Sequence, residues 1–304
     1  MIKHYKWFFA PIIIVVILAV ILGIVNGGMN VGIDFTGGSM ITVNMGGDFD
    51  SDALLEAVRN AEGIEGEVTV TRSTDGENTQ AVIRTQVTGD ESATTTLVDN
   101  VMAQINQVYP DATYVGVDSV GGVASGDLIN SAVFSVLLAS ALMLIYIWIR
   151  FDLYSGIGAV VALLHDVIFM ICVMCIFQVQ VDSTFIAACL TIVGYSINNT
   201  VIVFDRIREN TSILNPREYT VEQITGMSVR QTLGRTLNTT ITTLIMITAL
   251  YVVGVESVKI FAFPIIIGLV AGTFSSLFIA GPIWMKLVEK FGKKKKHKGV
   301  KVIS

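Results

Sequence analysis

Six runs of about 17 to 26 mostly apolar residues divide the chain, and they constrain its fold more than any other feature. About 20 apolar residues in a helix cross a hydrocarbon core about 30 Å thick, so each run is long enough to span a bilayer. Charged residues make up only 15% of the chain, against about 25% in typical soluble domains. The sequence therefore predicts an α-helical membrane protein with six transmembrane helices. The predicted spans are Trp7–Val25, Leu128–Ile149, Gly156–Phe177, Ser183–Phe204, Thr239–Val255 and Ile260–Met285.

Lysine and arginine are concentrated in segments that alternating spans would place on one side of the membrane. These segments hold 16 of the 20 basic residues, and the positive-inside rule makes their side cytoplasmic, together with both termini. A lysine cluster that follows a last span is typical of contact with anionic lipids rather than with nucleic acid. The predicted regions are 1–25 (amino end and first helix), 26–126 (external domain), 127–285 (helices two to six, with a cytoplasmic loop at 205–238) and 286–304 (basic tail).

Segment 26–126 has the periodicity of a soluble domain and is strongly acidic, with only three arginines as basic residues. Its order βαββαβ is typical of an α+β ferredoxin-like domain. The segment contains no His and no Cys, and no nucleophile–base pair, metal cluster or phosphate-binding loop is recognisable. We therefore expect it to bind polypeptide or a partner subunit, with no enzyme activity, cofactor or metal. The predicted strands are 39–45, 67–72, 80–87 and 112–120, and the predicted helices are 50–61 and 91–108.

Ionisable residues inside the predicted spans carry most of the functional information, because a charge at the bilayer centre costs about 2.5–3.5 kcal/mol on insertion scales. His165 and Asp166 lie near the middle of the third span. A carboxylate beside an imidazole binds and passes a proton in one interpretation, and only fixes helix packing in the other. The spacing Cys172-x-x-Cys175 resembles half a zinc site, but no second pair or His lies near it in the sequence, and we interpret both cysteines as packing residues.

Two further spans carry polar side chains at similar depth. The fourth span contains Asn198 and Asn199, and the fifth begins with Arg235, followed one helical turn later by Thr239. Such side chains form hydrogen bonds between helices or line a hydrated ion path, and Arg235 has the further option of snorkelling to the interface. In the sixth span Gly268, Gly272 and Ser276 recur at a spacing that predicts close helix packing.

Four motifs, in the same order across nearly the whole chain, resemble those of the SecF subunits of the SecD/SecF family, within the resistance–nodulation–division superfamily. The motifs are GIDFTGGS (Gly32–Ser39), ALLHDV (Ala162–Val167), GYSINNTVIVFDRIREN (Gly194–Asn210) and QTLGRTLNTTITTL (Gln231–Leu244). The resemblance implies pairing with SecD in the bacterial cytoplasmic membrane, beside SecYEG and SecA. It also implies that a proton or sodium motive force pulls the exported preprotein outward.

The family motif of the fourth span usually has an aspartate in the ion pathway, where this chain has Asn199. Since an amide does not titrate, that carboxylate role cannot be transferred to Asn199, whereas Arg235 matches the pathway arginine. We therefore hypothesise that the titrating group is Asp166 with His165, or a carboxylate of SecD. Asn199 and Arg235 are then expected to line the path.

Two alternatives remain at this point. A small-molecule efflux pump of the same superfamily resembles a tandem of twelve spans with two external modules, and this chain would be half of one. The second alternative is a passive assembly subunit, in which every polar residue inside the membrane has only a structural role. No P-loop for nucleotide binding occurs in the sequence, which is compatible with the ion motive force that the resemblance implies.

Overall fold

The chain folds into an α+β domain and a bundle of long helices. The computed structural model describes residues 8–64, 68–75, 78–86, 91–215 and 218–291. The first residues and most of the predicted basic tail lie outside the described residues. The elements are α1 (Ala10–Val25), α2 (Ile33–Thr36), β1 (Gly38–Asn44), α3 (Ser51–Arg59), β2 (Val68–Asp75), β3 (Asn78–Thr85), α4 (Glu91–Val108), β4 (Thr113–Val120), α5 (Gly122–Arg150), α6 (Leu153–Phe177), α7 (Ser183–Ile213), α8 (Val221–Val253), α9 (Glu256–Ser275), a π-helical turn (Ser276–Ala280) and α10 (Gly281–Phe291).

Five stretches of helix are long and apolar enough to cross a membrane. They correspond to α5, α6, α7, α8 and the continuous helix from α9 through α10. The remaining predicted span contains α1, which is apolar but has only 16 residues, fewer than the about 20 that a perpendicular span requires. The described residues therefore contain five candidate spans and one shorter apolar helix.

The predicted loop 205–238 is largely helical, which corrects the expectation from hydropathy. Helix α7 continues past the apolar run to Ile213, and α8 begins at Val221. At the start of α8 the Thr220 hydroxyl accepts from the Gln223 amide at 3.2 Å, and the Gln223 side chain accepts from the Thr220 amide at 2.9 Å. This capping box satisfies two backbone groups that a helix end leaves free. Hydropathy marks the end of an apolar surface, whereas the helix itself ends where its backbone is capped.

The α+β domain contains a four-stranded antiparallel sheet in the order β2-β3-β1-β4. Helix α3 connects β1 to β2, and α4 connects β3 to β4. At the start of α3, the Asp50 carboxylate accepts from the Asp52 amide at 2.9 Å, which is a favourable helix cap. Apolar side chains from the sheet and both helices form one core, in which Ile41, Val43, Ile83, Leu54, Val58, Val101 and Ile105 are completely buried.

The segment between α1 and β1 is hydrogen-bonded to the short link between α6 and α7. Val31 and Val181 form an isolated parallel bridge, in which the Val181 amide donates to the Asn30 carbonyl at 2.9 Å. Arg84, on β3, donates to the side-chain oxygens of Asn30 and Gln180. Burial lowers the pKa of the Arg84 guanidinium from its ordinary value, and the nearby Asp182 carboxylate opposes that shift. The α+β domain is thus attached directly to the link between two membrane helices.

Helix α9 packs against α6, α7 and α8 and occupies the centre of the bundle. A Cβ atom at Gly268 would lie 2.4 Å from Ile192 Cγ1 and 2.8 Å from Met170 Sδ. The small residue therefore permits close contact of α9 with both α6 and α7, as its spacing predicts. In contrast, α5 and α8 leave most of their apolar side chains uncovered by the rest of the chain.

Candidate functional site

A buried carboxylate lies at the meeting point of three membrane helices. Asp166, on α6, is 0% exposed. One of its oxygens, Oδ2, accepts hydrogen bonds from Ser196 Oγ on α7 at 2.5 Å and from Ser275 Oγ on α9 at 2.9 Å. Its other oxygen lies 3.0 Å from His165 Nδ1. Asp166 therefore has polar partners on every helix that encloses it.

The close approach of α9 brings these partners together. A Cβ atom at Gly272 would lie 3.1 Å from Ser196 Cβ and 3.4 Å from Asp166 Oδ2, so little space is left between the helices. Ser275 is the last residue of α9, directly before the π-helical turn. Such turns insert an extra residue into the helical repeat and recur at functional sites. Here the turn changes the register of the helix immediately after the serine that contacts Asp166.

His165 is enclosed by aromatic rings beside the carboxylate. It is 7% exposed and stacks between Phe169 and Phe274, with ring centroids 6.0 Å from its own in both cases. The imidazole is consequently held in place while its Nδ1 atom contacts Asp166. The imidazole and the carboxylate therefore lie within hydrogen-bond distance in a fixed orientation.

A second set of hydroxyl contacts connects α7, α8 and α9 around this pair. Thr200 Oγ1 lies 2.8 Å from Ser276 Oγ, and Thr240 Oγ1 lies 2.7 Å from Thr273 Oγ1. The Tyr195 hydroxyl lies 3.3 Å from Thr240 Oγ1. Hydroxyl groups donate and accept equally well, so this set tolerates reorientation of its protons.

Asn199 and Thr236 differ from these hydroxyls in having buried polar side-chain atoms without a hydrogen-bond partner among the described residues. Asn199 is 0% exposed, and neither the oxygen nor the nitrogen of its side chain has a hydrogen-bond partner within the described part of the chain. The same holds for Thr236 Oγ1 on α8. A buried amide without partners costs about 1–3 kcal/mol. The polar side chain of Asn199 therefore lowers the stability of the folded bundle.

The structure separates the predicted site residues into two groups. His165, Asp166 and Asn199 lie inside the bundle, although no hydrogen bond joins Asn199 to Asp166 in the described residues. Asn198 and Arg235 lie on the exposed surface of α7 and α8. Thr239 is half-buried, and its hydroxyl donates to the backbone carbonyl of Arg235 at 2.9 Å.

Sequence reasoning missed Ser196 and Ser275 as partners of the carboxylate. Ser196 lies within the motif of the fourth span, two residues before Asn198, and a helical projection would have placed it on the face opposite to Asn198. Ser275 has a weaker signal, because it lies three residues after Gly272 in an apolar run. Only the packing of α9 against α6 identifies it.

The three cysteines lie apart from this cluster as free thiols, and Cys172 and Cys189 are buried. No group of three or more His, Cys, Asp or Glu side chains suited to a metal ion occurs among the described residues. Cys175 Sγ lies 3.6 Å from the Ala19 carbonyl and so packs against α1. The groups around Asp166 are thus hydroxyl, carboxylate and imidazole groups. Such groups are suited to binding a proton or a weakly held ion.

Together, the fold and this cluster define a class: a helical membrane protein with a carboxylate buried between its spans and an α+β domain after its first apolar helix. A family profile described as "Protein export membrane protein SecD/SecF, C-terminal" matches residues 100–290. The chain is 37% identical over 280 residues to "Protein translocase subunit SecF" of Cereibacter sphaeroides, covering 89% of this chain and 84% of the relative. It is 33% identical to the subunit of the same name from Petrotoga mobilis, covering 95% and 96%.

Among solved structures, the chain is similar to SecDF of Thermus thermophilus, described as a translocon-associated membrane protein, with a TM-score of 0.79 and 28% identity. That match covers 93% of this chain but only 37% of the SecDF chain. A SecDF structure in a super-membrane-facing form matches with a TM-score of 0.63 and 27% identity, covering 94% of this chain and 38% of that one. The chain belongs to the SecD/SecF family, with SecF subunits as its full-length relatives. This membership supports a role in Sec protein export by a multi-pass protein of the inner membrane.

Proposed function

We propose that this chain is a SecF-type subunit that pairs with SecD and uses an ion motive force to promote the late stage of preprotein translocation across the bacterial cytoplasmic membrane. The observation that carries this proposal is the complete burial of Asp166 between two serine hydroxyls and an imidazole. A carboxylate is costly inside a membrane and is retained there mainly for function. The proposal requires no catalysed covalent reaction.

The contacts of Asp166 suit a group that gains and loses a proton. When the carboxylate is ionised, Ser196 and Ser275 donate to it. When it is protonated, its own O–H group has a hydroxyl oxygen or a neutral imidazole as acceptor, because serine and histidine both donate and accept. Both states are therefore satisfied with small rotations of the side chains. His165 is the neighbour through which we expect the proton to arrive or leave.

Asn199 and Thr236 extend the proposed path toward α8. Their oxygen atoms, which have no hydrogen-bond partner among the described residues, are suited to hydrogen-bond a chain of water molecules. They could equally contribute to sodium coordination, since hard cations prefer oxygen ligands. We propose that they line the path and do not titrate. Arg235 and Thr239 would then lie at its border, on the surface of α8.

The contacts between the α+β domain and the membrane helices give a physical route for coupling. The link from Gln178 to Asp182 joins α6, which carries Asp166, to α7, which carries Ser196 and Asn199. Arg84 and the segment around Val31 are hydrogen-bonded to that link. A shift of α6 against α7 on protonation would consequently displace the base of the α+β domain. One elementary charge crossing 100 mV supplies about 2.3 kcal/mol, so a few charges per cycle suffice for such a displacement.

Several finer features complete the proposal. We propose six membrane spans including α1, both termini in the cytoplasm and the α+β domain outside, because the basic residues are concentrated on one side. We assign the domain to the ferredoxin-like arrangement on its strand order β2-β3-β1-β4. SecYEG, SecA and the preprotein are the proposed partners in export, and anionic lipids are proposed to contact the lysines from residue 286 onward.

A polar face that this chain leaves uncovered supports pairing with SecD. Asn198 on α7 and Arg235, Asn238 and Thr242 on α8 are exposed although they belong to apolar helices. Polar side chains inside a bilayer face other protein groups or water rather than lipid. We therefore propose that this face lies against the helices of SecD, where the second half of the ion path would be formed.

A photo-crosslinking amino acid at Asn198 or Arg235 is expected to form an adduct with SecD in intact membranes. The matched control is the same amino acid at Leu137, an exposed apolar residue on α5. Mass spectrometry of the adducts is the measurement. Equal SecD crosslinking from Leu137, or none from the polar face, would contradict the proposed interface.

The rival functions are distinguished by a deletion strain. Export of secreted proteins is expected to slow, with accumulation of toxic small molecules unchanged. Increased accumulation of such molecules with normal secretion would instead identify an efflux half-transporter, and slow export that is insensitive to every ion gradient would identify a passive assembly subunit.

A further inference from the structure

A cavity of about 390 Å³ with a mixed polar and apolar lining lies at the end of the bundle opposite the α+β domain. It is enclosed by the corner between α5 and α6, by the last turns of α7, and by Trp284 on α10. Ser155, which lines it, is 11 residues before Asp166 on α6, or about 16 Å along the helix at 1.5 Å per residue. None of the residues that contact Asp166 lines the cavity, which is therefore a different site from the buried carboxylate.

Two opposite charges line this cavity without forming an ion pair. Arg208 Nη1 donates to the Arg150 carbonyl at 3.2 Å, which is its one hydrogen bond among the described residues. Asp152 caps α6 by accepting from the Ser155 amide at 2.6 Å, and its other oxygen accepts from Trp284 Nε1 at 3.3 Å. No described contact of 4.0 Å or less joins the guanidinium to the carboxylate. Both side chains consequently retain capacity to bind a ligand of opposite charge.

The cavity also contains hydroxyl acceptors, on α7, in addition to the Asp152 carboxylate. Thr211 Oγ1 donates to the Ile207 carbonyl at 2.6 Å, and Ser212 Oγ donates to the Glu209 carbonyl at 2.7 Å. Because their protons are engaged by the backbone, the oxygen atoms of both hydroxyls remain as acceptors. An ammonium group has three donors, and the cavity lining offers carboxylate and hydroxyl acceptors for them. The guanidinium of Arg208 is the matching partner for a phosphate.

The position of the cavity favours a lipid as the source of these groups. Helix α5 is apolar up to Arg150, so the cavity lies where the apolar surface of the bundle ends. Tryptophan is enriched at this level of membrane proteins because its ring is apolar and its N–H is polar. The uncovered apolar side chains of α5, such as Tyr146 and Ile149, provide a surface for acyl chains below the cavity.

We propose that this cavity binds the headgroup of a zwitterionic phospholipid of the phosphatidylethanolamine type. The phosphate contacts Arg208, and the ammonium group contacts Asp152 and the hydroxyl oxygens. A headgroup with a phosphate but no ammonium would place only negative charge near Asp152, so the cavity discriminates against phosphatidylglycerol. Basic pockets between membrane helices are known to hold lipid headgroups. In this cavity the Asp152 carboxylate selects a headgroup that carries an ammonium group.

Binding of dioleoylphosphatidylethanolamine to the delipidated full chain in detergent tests the proposal. Arg208→Gln is expected to weaken this binding by about tenfold or more, since hydrogen bonds to charged groups are the strong ones. Arg206→Gln is the matched control, because Arg206 is on the same helix but pairs with Glu209 and Gln231, and it is expected to change the affinity less than twofold. Arg208→Lys should restore part of the affinity, and Asp152→Asn, which preserves a helix cap, should shift the preference toward dioleoylphosphatidylglycerol.

Three results would overturn the proposal. The first is equal or tighter binding of dioleoylphosphatidylglycerol by the unmodified chain, a comparison that needs no variant to fold. The second is an equal loss for Arg206→Gln and Arg208→Gln. The third is binding of soluble phosphoethanolamine as tightly as the lipid, which would identify a small-molecule site instead. None of these results depends on an ion gradient or on SecD, so they leave the proposed export function untouched.

Discussion

Replacement of Asp166 by asparagine is expected to abolish the acceleration of preprotein release by a proton gradient. Asparagine preserves the size of the side chain, so the helices around it retain their packing. It cannot carry a proton between two charge states, and the contacts with His165, Ser196 and Ser275 then hold a permanently neutral group. Release in the presence of a gradient should fall to the rate measured without one.

The measurement is the release rate of a translocated preprotein from vesicles that contain the translocon, SecD and the variant. The control is Asp118→Asn, which removes an exposed carboxylate from β4 of the α+β domain and should leave the stimulated rate unchanged. Copurification with SecD shows whether the Asp166→Asn variant still assembles. Full stimulation by an assembled Asp166→Asn complex would contradict a titrating role for Asp166 and favour a structural one.

Valine in place of Gly268 is expected to prevent stable folding of the helical bundle. Already a Cβ atom at this position would lie 2.4 Å from Ile192 Cγ1 and 2.8 Å from Met170 Sδ, distances far below van der Waals contact. Ile192 and Met170 are themselves buried, so they have no free space into which to move. Overpacking of this kind costs about 1–3 kcal/mol or more, and here it would push α9 away from α6 and α7 and separate Ser275 from Asp166.

The amount of folded protein in detergent and its melting temperature measure this effect. Gly234→Ala on α8 is the matched control, because a Cβ atom there meets nothing within 4 Å. Alanine is favoured over glycine in a helix by about 1 kcal/mol, so this control should melt at the same or a higher temperature. A Gly268→Val protein as stable as the control would show that α9 does not pack as described.

Local sequence patterns predict the elements of the α+β domain closely. Alternation predicts a strand at 39–45, and β1 extends from Gly38 to Asn44. Helical spacing together with Pro110 predicts a helix at 91–108, and α4 has these bounds. Both patterns arise from one apolar face packed against one core, which makes the period of the sequence equal to the period of the structure.

The site was less predictable, because burial depends on which side of a helix meets a neighbour. Asn198 and Asn199 are adjacent in sequence, yet one is exposed and the other is completely buried. Successive residues of a helix differ by about 100° in direction, and a span that is apolar on nearly all sides gives no signal for which direction faces the bundle. For the same reason the pairing of Asp166 with Ser275, 109 residues apart, follows only from the packed helices.

We propose that this chain converts an ion gradient into faster export through Asp166, and the unmodified protein is sufficient to test this. Preprotein release is measured from vesicles with the translocon and SecD under an imposed proton gradient, and then under a sodium gradient without one. We predict acceleration by the proton gradient, its loss on addition of a protonophore, and no acceleration by sodium alone. Acceleration by sodium alone would indicate that the coupling ion is bound by oxygen atoms such as that of Asn199 instead of by Asp166. Release that neither gradient changes would contradict ion-driven export and favour a passive assembly subunit.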